Sequence, residues 1–202
     1  FAANAWLLSD SGTAKKRIIV FCNSRVDALK AEQAVTMLAK GDKNKAIPER
    51  TISTQLFVGA RRVRERQQLE EWLEVHGFLA GSKVAIDVPA FVFATSAGEV
   101  GVDLDAEHMV GDLVAFERMV QRFGRVNRRG EGDAKLHVLL QPDVPDNKER
   151  EALTKALAKP ERQRGAKDHE LVQQFELAPK YRAALDRLPV VLDDTARDAS
   201  PE

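Results

Sequence analysis

Met119 to Gly130, read as MVQRFGRVNRRG, carries four arginines, a glutamine and an internal glycine. Around it, Phe116, Met119, Val120, Phe123 and Val126 recur at helical spacing, so the stretch is expected to be a helix that packs this apolar stripe into a domain. At roughly 100° per residue, Gln121, Arg125 and Arg128 then fall on the opposite face. A guanidinium is a planar, permanently charged fork of N–H donors that matches phosphate oxygens. The face is therefore either a set of phosphate-directed donors or the solvated charged surface usual for an amphipathic helix.

A second group lies upstream. Thr95, Ser96, Gly98, Glu99, Gly101 and Asp103 fall within nine residues, directly after the apolar run Phe91 to Thr95. Hydroxyls and free backbone N–H groups at the end of a strand suit phosphate oxygens. Glycines let a backbone approach a ligand closely, and an aspartate can accept hydrogen bonds from sugar hydroxyls. Taken alone, these residues equally describe an ordinary strand-to-helix turn.

Other chemistries find little support. No G-x-x-x-x-G-K-[ST] phosphate loop occurs; Gly12-Thr13-Ala14-Lys15 precedes an expected strand instead of following one. Val190-Val191-Leu192-Asp193-Asp194 imitates a metal-binding acidic box but sits in a proline-broken tail. The chain is thus expected not to bind and hydrolyse a nucleotide unaided by the usual P-loop route. His76, His108, His137 and His169 lack zinc-like spacing. Asp168-His169 reverses the His-Asp order of a metal-dependent nuclease doublet, and no Ser-His-Asp arrangement is visible.

Composition sets the class. Of 202 residues, 44% are hydrophobic and 31% charged, which describes a globular chain with room for a domain and an appendage. The 31 basic and 31 acidic residues cancel, so net charge does not indicate a strongly basic nucleic-acid binder, while the local clusters Lys15 to Arg17, Arg61 to Arg66 and Arg122 to Arg129 remain able to meet phosphates. The single cysteine, Cys22, lies in an apolar run and is expected to be a buried, inert thiol. With no disulfide framework, no membrane-length apolar run and no secretory segment, the expected setting is the cytoplasm. The first residue is not methionine, and the sequence is expected to be a piece of a longer chain.

These residues need elements to hold them. Ile18 to Cys22 is short, β-branched and continuously apolar, as for a strand buried on both faces. Asn23 and Ser24 signal a helix start, and the helix is expected over about Val26 to Ala39. Further strands are expected at about Thr51 to Val58, Phe91 to Thr95, Met109 to Val114 and Lys135 to Leu140, with a short edge strand at Lys83 to Val88. A helix is expected from about Val63 to Val75, and the arginine stretch supplies another. This alternation predicts an α/β doubly wound, mainly parallel sheet with helices on both faces. Ligands of such sheets bind outside the carboxyl ends of the strands. From Pro142 onward prolines separate charged helical segments at roughly Asn147 to Ala158, Lys167 to Glu176 and Lys180 to Leu188, and the polar end is expected to be disordered. The domain reading is therefore 1–141 and a helical accessory or linker region 142–202.

Phe91-Val-Phe-Ala-Thr-Ser-Ala-Gly-Glu-Val-Gly-Val-Asp103 and Gln121-Arg-Phe-Gly-Arg-Val-Asn-Arg128 closely resemble motifs V and VI of superfamily 2 helicases. Ile18 to Cys22 with Asn23-Ser24 resembles motif IV. The resemblance covers about Ile18 to Leu140 and corresponds to the second, C-terminal RecA-like domain of such a motor. The wording TSAGEVGVDLDAEHMV and MVQRFGRVNRRGE is most similar to the helicase part of the CRISPR-associated helicase–nucleases of type I systems. Gln121 favours the branch resembling DExH-type helicases over DEAD-box RNA helicases.

The resemblance implies that ATP sits between two RecA-like domains, with Mg²⁺ and the phosphates held mainly by a first domain that this sequence lacks. Arg125 and Arg128 match arginine fingers, and Gln121 matches the residue that orients the γ-phosphate or the attacking water. Gly101 and Asp103 match the pair that lines the nucleotide. Arg122 matches a structural position. Thr95 and Ser96 match phosphate contacts to a nucleic acid, with Ser24, Arg25, Arg61 and Arg62 as candidates by position. The implied partners are single-stranded DNA, with RNA an alternative, the first RecA-like domain, a His-Asp nuclease domain and a CRISPR surveillance complex. Competing readings are a DNA-repair or RNA-processing superfamily 2 helicase, a non-enzymatic RecA-like nucleic-acid-binding module, and a flavodoxin-like or receiver domain.

Overall fold

The computed structural model describes residues 16–41, 49–59, 63–99, 101–130, 132–140 and 147–188. Expectations at Phe1 to Leu8, Gly12 to Lys15, Arg61, Arg62 and Val190 onward lie outside the described residues. The chain divides into two units. One comprises Phe1–Asp112 with Gln121–Val138, and the other Leu113–Val120 with Leu139–Glu202.

The first unit is built on a five-stranded sheet in the order β2-β3-β1-β4-β5. Its strands are β1 (Arg17–Phe21), β2 (Ser53–Phe57), β3 (Ala90–Ala94), β4 (His108–Asp112) and β5 (Lys135–Leu139). β1 pairs in parallel with β3 and β4, and β2 pairs in parallel with β3. The continuous apolar runs form the centre: Ile18, Ile19, Phe91, Val92 and Phe93 are fully buried. Alternation then sorts the two faces. Ile18, Val20, Phe91, Phe93 and Val110 pack against Ala28 and Val35 of α1 (Arg25–Ala39), and Thr54 of β2 donates to Glu32 of the same helix at 3.0 Å. On the opposite face, Ser53 hydrogen-bonds the His76 ring at 2.8 Å, just beyond α2 (Val63–Val75). There too Arg122 of α3 (Phe116–Phe123) lies over the Phe21 ring. Helices on both faces of a parallel sheet are the doubly wound architecture expected.

Two expectations fail. Lys83 to Val88 forms no strand. Its β-branched alternation is not matched by pairing, and the carbonyl of Val84 is taken by the Arg17 side chain at 2.7 Å. The arginine stretch is also not one continuous helix, as described below.

The second unit contains α4 (Asn147–Ala158), a 3₁₀ turn at Glu161–Gln163, α5 (Ala166–Val172), a π-helical segment at Gln173–Leu177 and α6 (Ala178–Leu185). Leu153, Ala156, Val172 and Phe175 form its small core. Asp168 caps α5 by accepting the Gly165 N–H at 2.9 Å and pairs with Lys159 at 2.8 Å. Those two hydrogen bonds, the lysine's first, hold its carboxyl below the usual carboxylate range. The Asp168-His169 doublet thus begins with a helix-capping side chain.

Candidate active-site arginine cluster

Parallel strands force the chain to travel back between them. After β3 the segment from Thr95 to Glu107 makes this return, from the carboxyl end of β3 to the amino end of β4. It begins with a 3₁₀ turn, Ser96–Gly98. Gly98 sits so close under the sheet that a Cβ there would meet Ala94 Cβ at 2.8 Å. Gly101 then takes φ +93°, a left-handed value that favours glycine. Leu104 bridges Leu79, and the Asp105 and Ala80 N–H groups donate to Phe78 and Asp103 carbonyls. The return segment is thereby tied to the loop after α2.

The arginine stretch runs beside this segment. α3 ends at Phe123. Arg125 and Val126 N–H groups bond to carbonyls three residues back, tightening the final turn. Val126 then enters a parallel bridge with Ala106, flanked by Ala106 N–H to Arg125 O at 3.0 Å and Asn127 N–H to Ala106 O at 2.8 Å. Asn127 adopts φ +46° and exchanges side-chain hydrogen bonds with the Gly132 backbone, a conformation that asparagine tolerates better than most residues. Arg125 and Arg128 therefore project from turns on either side of the Val126 bridge, not from a helical face. The predicted stripe is also only partly buried. Met119 and Val126 are buried, whereas Phe116 and Val120 are exposed and Arg122 is wholly buried.

Acids on the return segment meet arginines on the neighbouring one. Arg122 Nε donates to Glu99 Oε1 at 2.8 Å, and its Nη1 donates to the Asp112 carbonyl at 2.7 Å. Arg125 Nη2 donates to the Glu99 carbonyl at 2.8 Å, and its Nη1 to Asp103 Oδ1 at 3.1 Å. Arg128 Nη1 donates to the same Asp103 Oδ1, while its backbone N–H donates to Asp105 Oδ1 at 3.1 Å. One exposed carboxylate oxygen thus receives two guanidiniums. The Arg125 side chain is 17% exposed, Arg128 36% and Asp103 64%. The Arg125 Nε–H is buried without a hydrogen-bond partner among the described residues. Gln121 is exposed on α3.

The remaining candidates are dispersed. Thr95 begins the 3₁₀ turn, with its N–H on the Phe57 carbonyl at 3.1 Å, and Ser96 is exposed. Ser24 is the N-cap of α1; its hydroxyl accepts the Asp27 N–H at 3.1 Å and donates to Asp27 Oδ2 at 2.5 Å. Arg25, the first residue of that helix, is exposed. The carboxyl ends of β1 and β4 are joined by the Asn23 N–H to Asp112 Oδ2 at 2.9 Å. Burial pushes the Asp112 carboxyl up despite this bond, and burial with the nearby Asp112 charge pushes the Cys22 thiol up to about 12.

Three contacts were not anticipated from the sequence: the carbonyl of Glu99 on Arg125, Asp105 on the Arg128 backbone, and Glu107. In the last, Glu107 Oε1 accepts from Arg17 Nη1 at 2.7 Å and Oε2 accepts the Arg17 backbone N–H at 2.7 Å. Their sequence signal is the succession of acids at 99, 103, 105 and 107.

Comparison with known proteins gives a consistent picture. A family model for "CRISPR-associated nuclease/helicase Cas3, C-terminal" matches residues 14–131, more than half of the chain. No curated protein matches. The crystal structure of a CRISPR-associated protein is similar at TM-score 0.51 and 21% identity, over 91% of this chain and 23% of that one. The T. fusca Cas3–ATP crystal structure is similar at TM-score 0.55 and 17% identity, over 72% of this chain and 17% of that one. This chain spans under a quarter of each. At these identities the likeness identifies the fold, which is RecA-like α/β.

Proposed function

This chain belongs to the family of C-terminal domains of the CRISPR-associated nuclease/helicase Cas3, a superfamily 2 helicase domain, and from that membership we propose that it is the second half of an ATP-driven motor that translocates on single-stranded DNA. The observation that carries the proposal is the convergence of Arg125 and Arg128 on one oxygen atom. Two like charges repel, and here a single anion, the Asp103 carboxylate, holds them together. Asp103 carries one negative charge against the two guanidiniums it receives, while Arg122 is matched by Glu99.

ATP, the substrate in this reading, supplies the γ-phosphoryl group. Arg125 and Arg128 neutralise charge that grows on it as it transfers, an effect worth roughly 10³-fold or more in rate. Gln121, on the exposed side of the preceding turn, orients the γ-phosphate or the attacking water. Gly101 and Asp103 stand beside the nucleotide. Among the described residues no three or more metal-ligating side chains gather, and the proposal assigns Mg²⁺ to the first RecA-like domain.

Thr95 and Ser96, with Arg25 and Ser24 at the carboxyl end of β1, are assigned to the phosphates of the DNA strand, along with Arg61 and Arg62. Backbone contacts of this kind make binding sequence-tolerant and salt-sensitive. A His-Asp nuclease domain and a CRISPR surveillance complex complete the proposed partners, with the cytoplasm as the setting; among the described residues no helix is long and apolar enough to cross a membrane.

The test is turnover by halves. The 202-residue chain alone should hydrolyse ATP negligibly, and addition of the separately expressed first RecA-like domain should restore DNA-stimulated hydrolysis. Robust turnover by the chain alone contradicts the half-motor reading.

A further inference from the structure

We propose that Asp103 is a positioning residue that occupies the phosphate-binding forks of Arg125 and Arg128 and is exchanged for the nucleotide's phosphate during the cycle. The inference rests on the finger assignment above and adds a device to it. A motif aspartate beside a nucleotide would ordinarily be read as a sugar ligand, yet here Oδ1 already accepts from both guanidiniums. A carboxylate oxygen presents to those donors the same geometry that a phosphate oxygen does.

The surroundings make the contact exchangeable. Asp103 is 64% exposed, and exposed ion pairs are individually weak because water and salt screen them. Its neighbour Gly101 turns the backbone at φ +93° with nothing within 4 Å of where a Cβ would stand. The Asp103 side chain itself, being mostly exposed, has solvent to withdraw into. Arg125 does not share that freedom. Its second fork nitrogen is fixed by the Glu99 carbonyl at 2.8 Å, and Glu99 is itself held by the buried Arg122. When Asp103 leaves, Arg125 keeps its place and offers Nη1 to the next anion. Until then Asp103 offsets the repulsion between the two guanidiniums and keeps them adjacent.

A sugar ligand and a placeholder predict opposite signs. For a placeholder, removing the carboxylate removes a competitor. Titration of this chain with inorganic tripolyphosphate should show tighter binding for Asp103→Asn, by about threefold or more, the scale of two exposed ion pairs, and a larger gain for Asp103→Ala. Adding Arg125→Ala and Arg128→Ala to either variant should abolish the gain. In the full-length protein that contains this chain, KM for ATP should fall in Asp103→Asn. Unchanged or weaker tripolyphosphate binding, or a raised KM, overturns the placeholder. Asparagine is isosteric with aspartate, and an unaltered melting curve verifies the fold. If Arg125→Ala and Arg128→Ala abolish turnover while Asp103→Asn binds no tighter, this inference fails and the motor reading stands. If those arginine variants turn over normally, the motor reading itself fails.

Discussion

Arg122 donates its Nε–H to Glu99 Oε1 at 2.8 Å with both side chains sealed from solvent, at 0% and 3% exposure. Such a pair is strongly destabilising to break, because removal of one partner leaves a buried charge uncompensated. It locks α3 to the return segment, and the carbonyl of the same Glu99 seats Arg125. The cluster thus has a buried anchor and an exposed, exchangeable outer contact at Asp103.

The anchor predicts a stability cost. Glu99→Ala should destabilise the chain by about 3 kcal/mol or more in denaturant unfolding. Glu99→Ala combined with Arg122→Met should cost less than Glu99→Ala alone, since no charge is then left buried. A double variant no more stable than the single one would show that the pair does not act as a buried ion pair.

Glycines in the return segment should separate packing from backbone strain. Gly98→Ala brings a Cβ to 2.8 Å from Ala94 Cβ and 3.4 Å from the Phe21 ring, neither a flexible chain end. About 1–3 kcal/mol is expected for such overpacking. Gly101→Ala meets nothing within 4 Å but must hold φ +93°, so it should lose about 1 kcal/mol from strain alone. Equal thermal stability of Gly98→Ala and the parent chain would contradict the packing described.

His108 predicts the acid limb of stability. It is buried, and its Nδ1 accepts the Lys135 N–H at 3.2 Å. Burial first, then the Lys16 charge, lowers its pKa below 6.5, and burial lowers His137 similarly. The unfolded chain therefore takes up these protons first. Their contribution is complete above about 6.5 and is lost as pH falls from there toward the depressed folded values. Asp112, raised by burial, acts oppositely: its contribution is lost as pH rises through its raised folded value. His108→Gln should flatten the decline in melting temperature between about pH 6.5 and 5. An unchanged slope would exclude His108 as its source.

Cys22 should be chemically silent in the folded chain. With its thiol pushed up to about 12, the thiolate fraction near pH 7.5 is negligible. Iodoacetamide should label it only after denaturation, and labelling at equal rates with and without denaturant would contradict the burial.

The sheet was legible because a strand buried on both faces writes itself as an unbroken apolar run, as at Ile18 to Phe21 and Phe91 to Phe93. The α2 limits, Val63–Val75, were equally plain. The end of α3 was not, because Val126 continues the helical apolar period even though it belongs to a bridge with Ala106, a partner that only the fold supplies. For the same reason the composition of Lys83 to Val88 suggested a strand that pairs with nothing. The arginine positions were readable from their motif, but their shared acceptor was not. Asp103 is 22 residues from Arg125 in the chain, and a carboxylate in a loop gives no sign of which cation it will meet.

The most direct measurement is single-turnover ATP hydrolysis by the full-length protein that contains this chain, with Arg125→Ala and Arg128→Ala compared with wild type and nucleotide binding measured in parallel. Each substitution should lower the hydrolysis rate by roughly 10³-fold or more while ATP affinity stays within a few-fold. Wild-type hydrolysis rates in both variants would contradict the arginine-finger assignment.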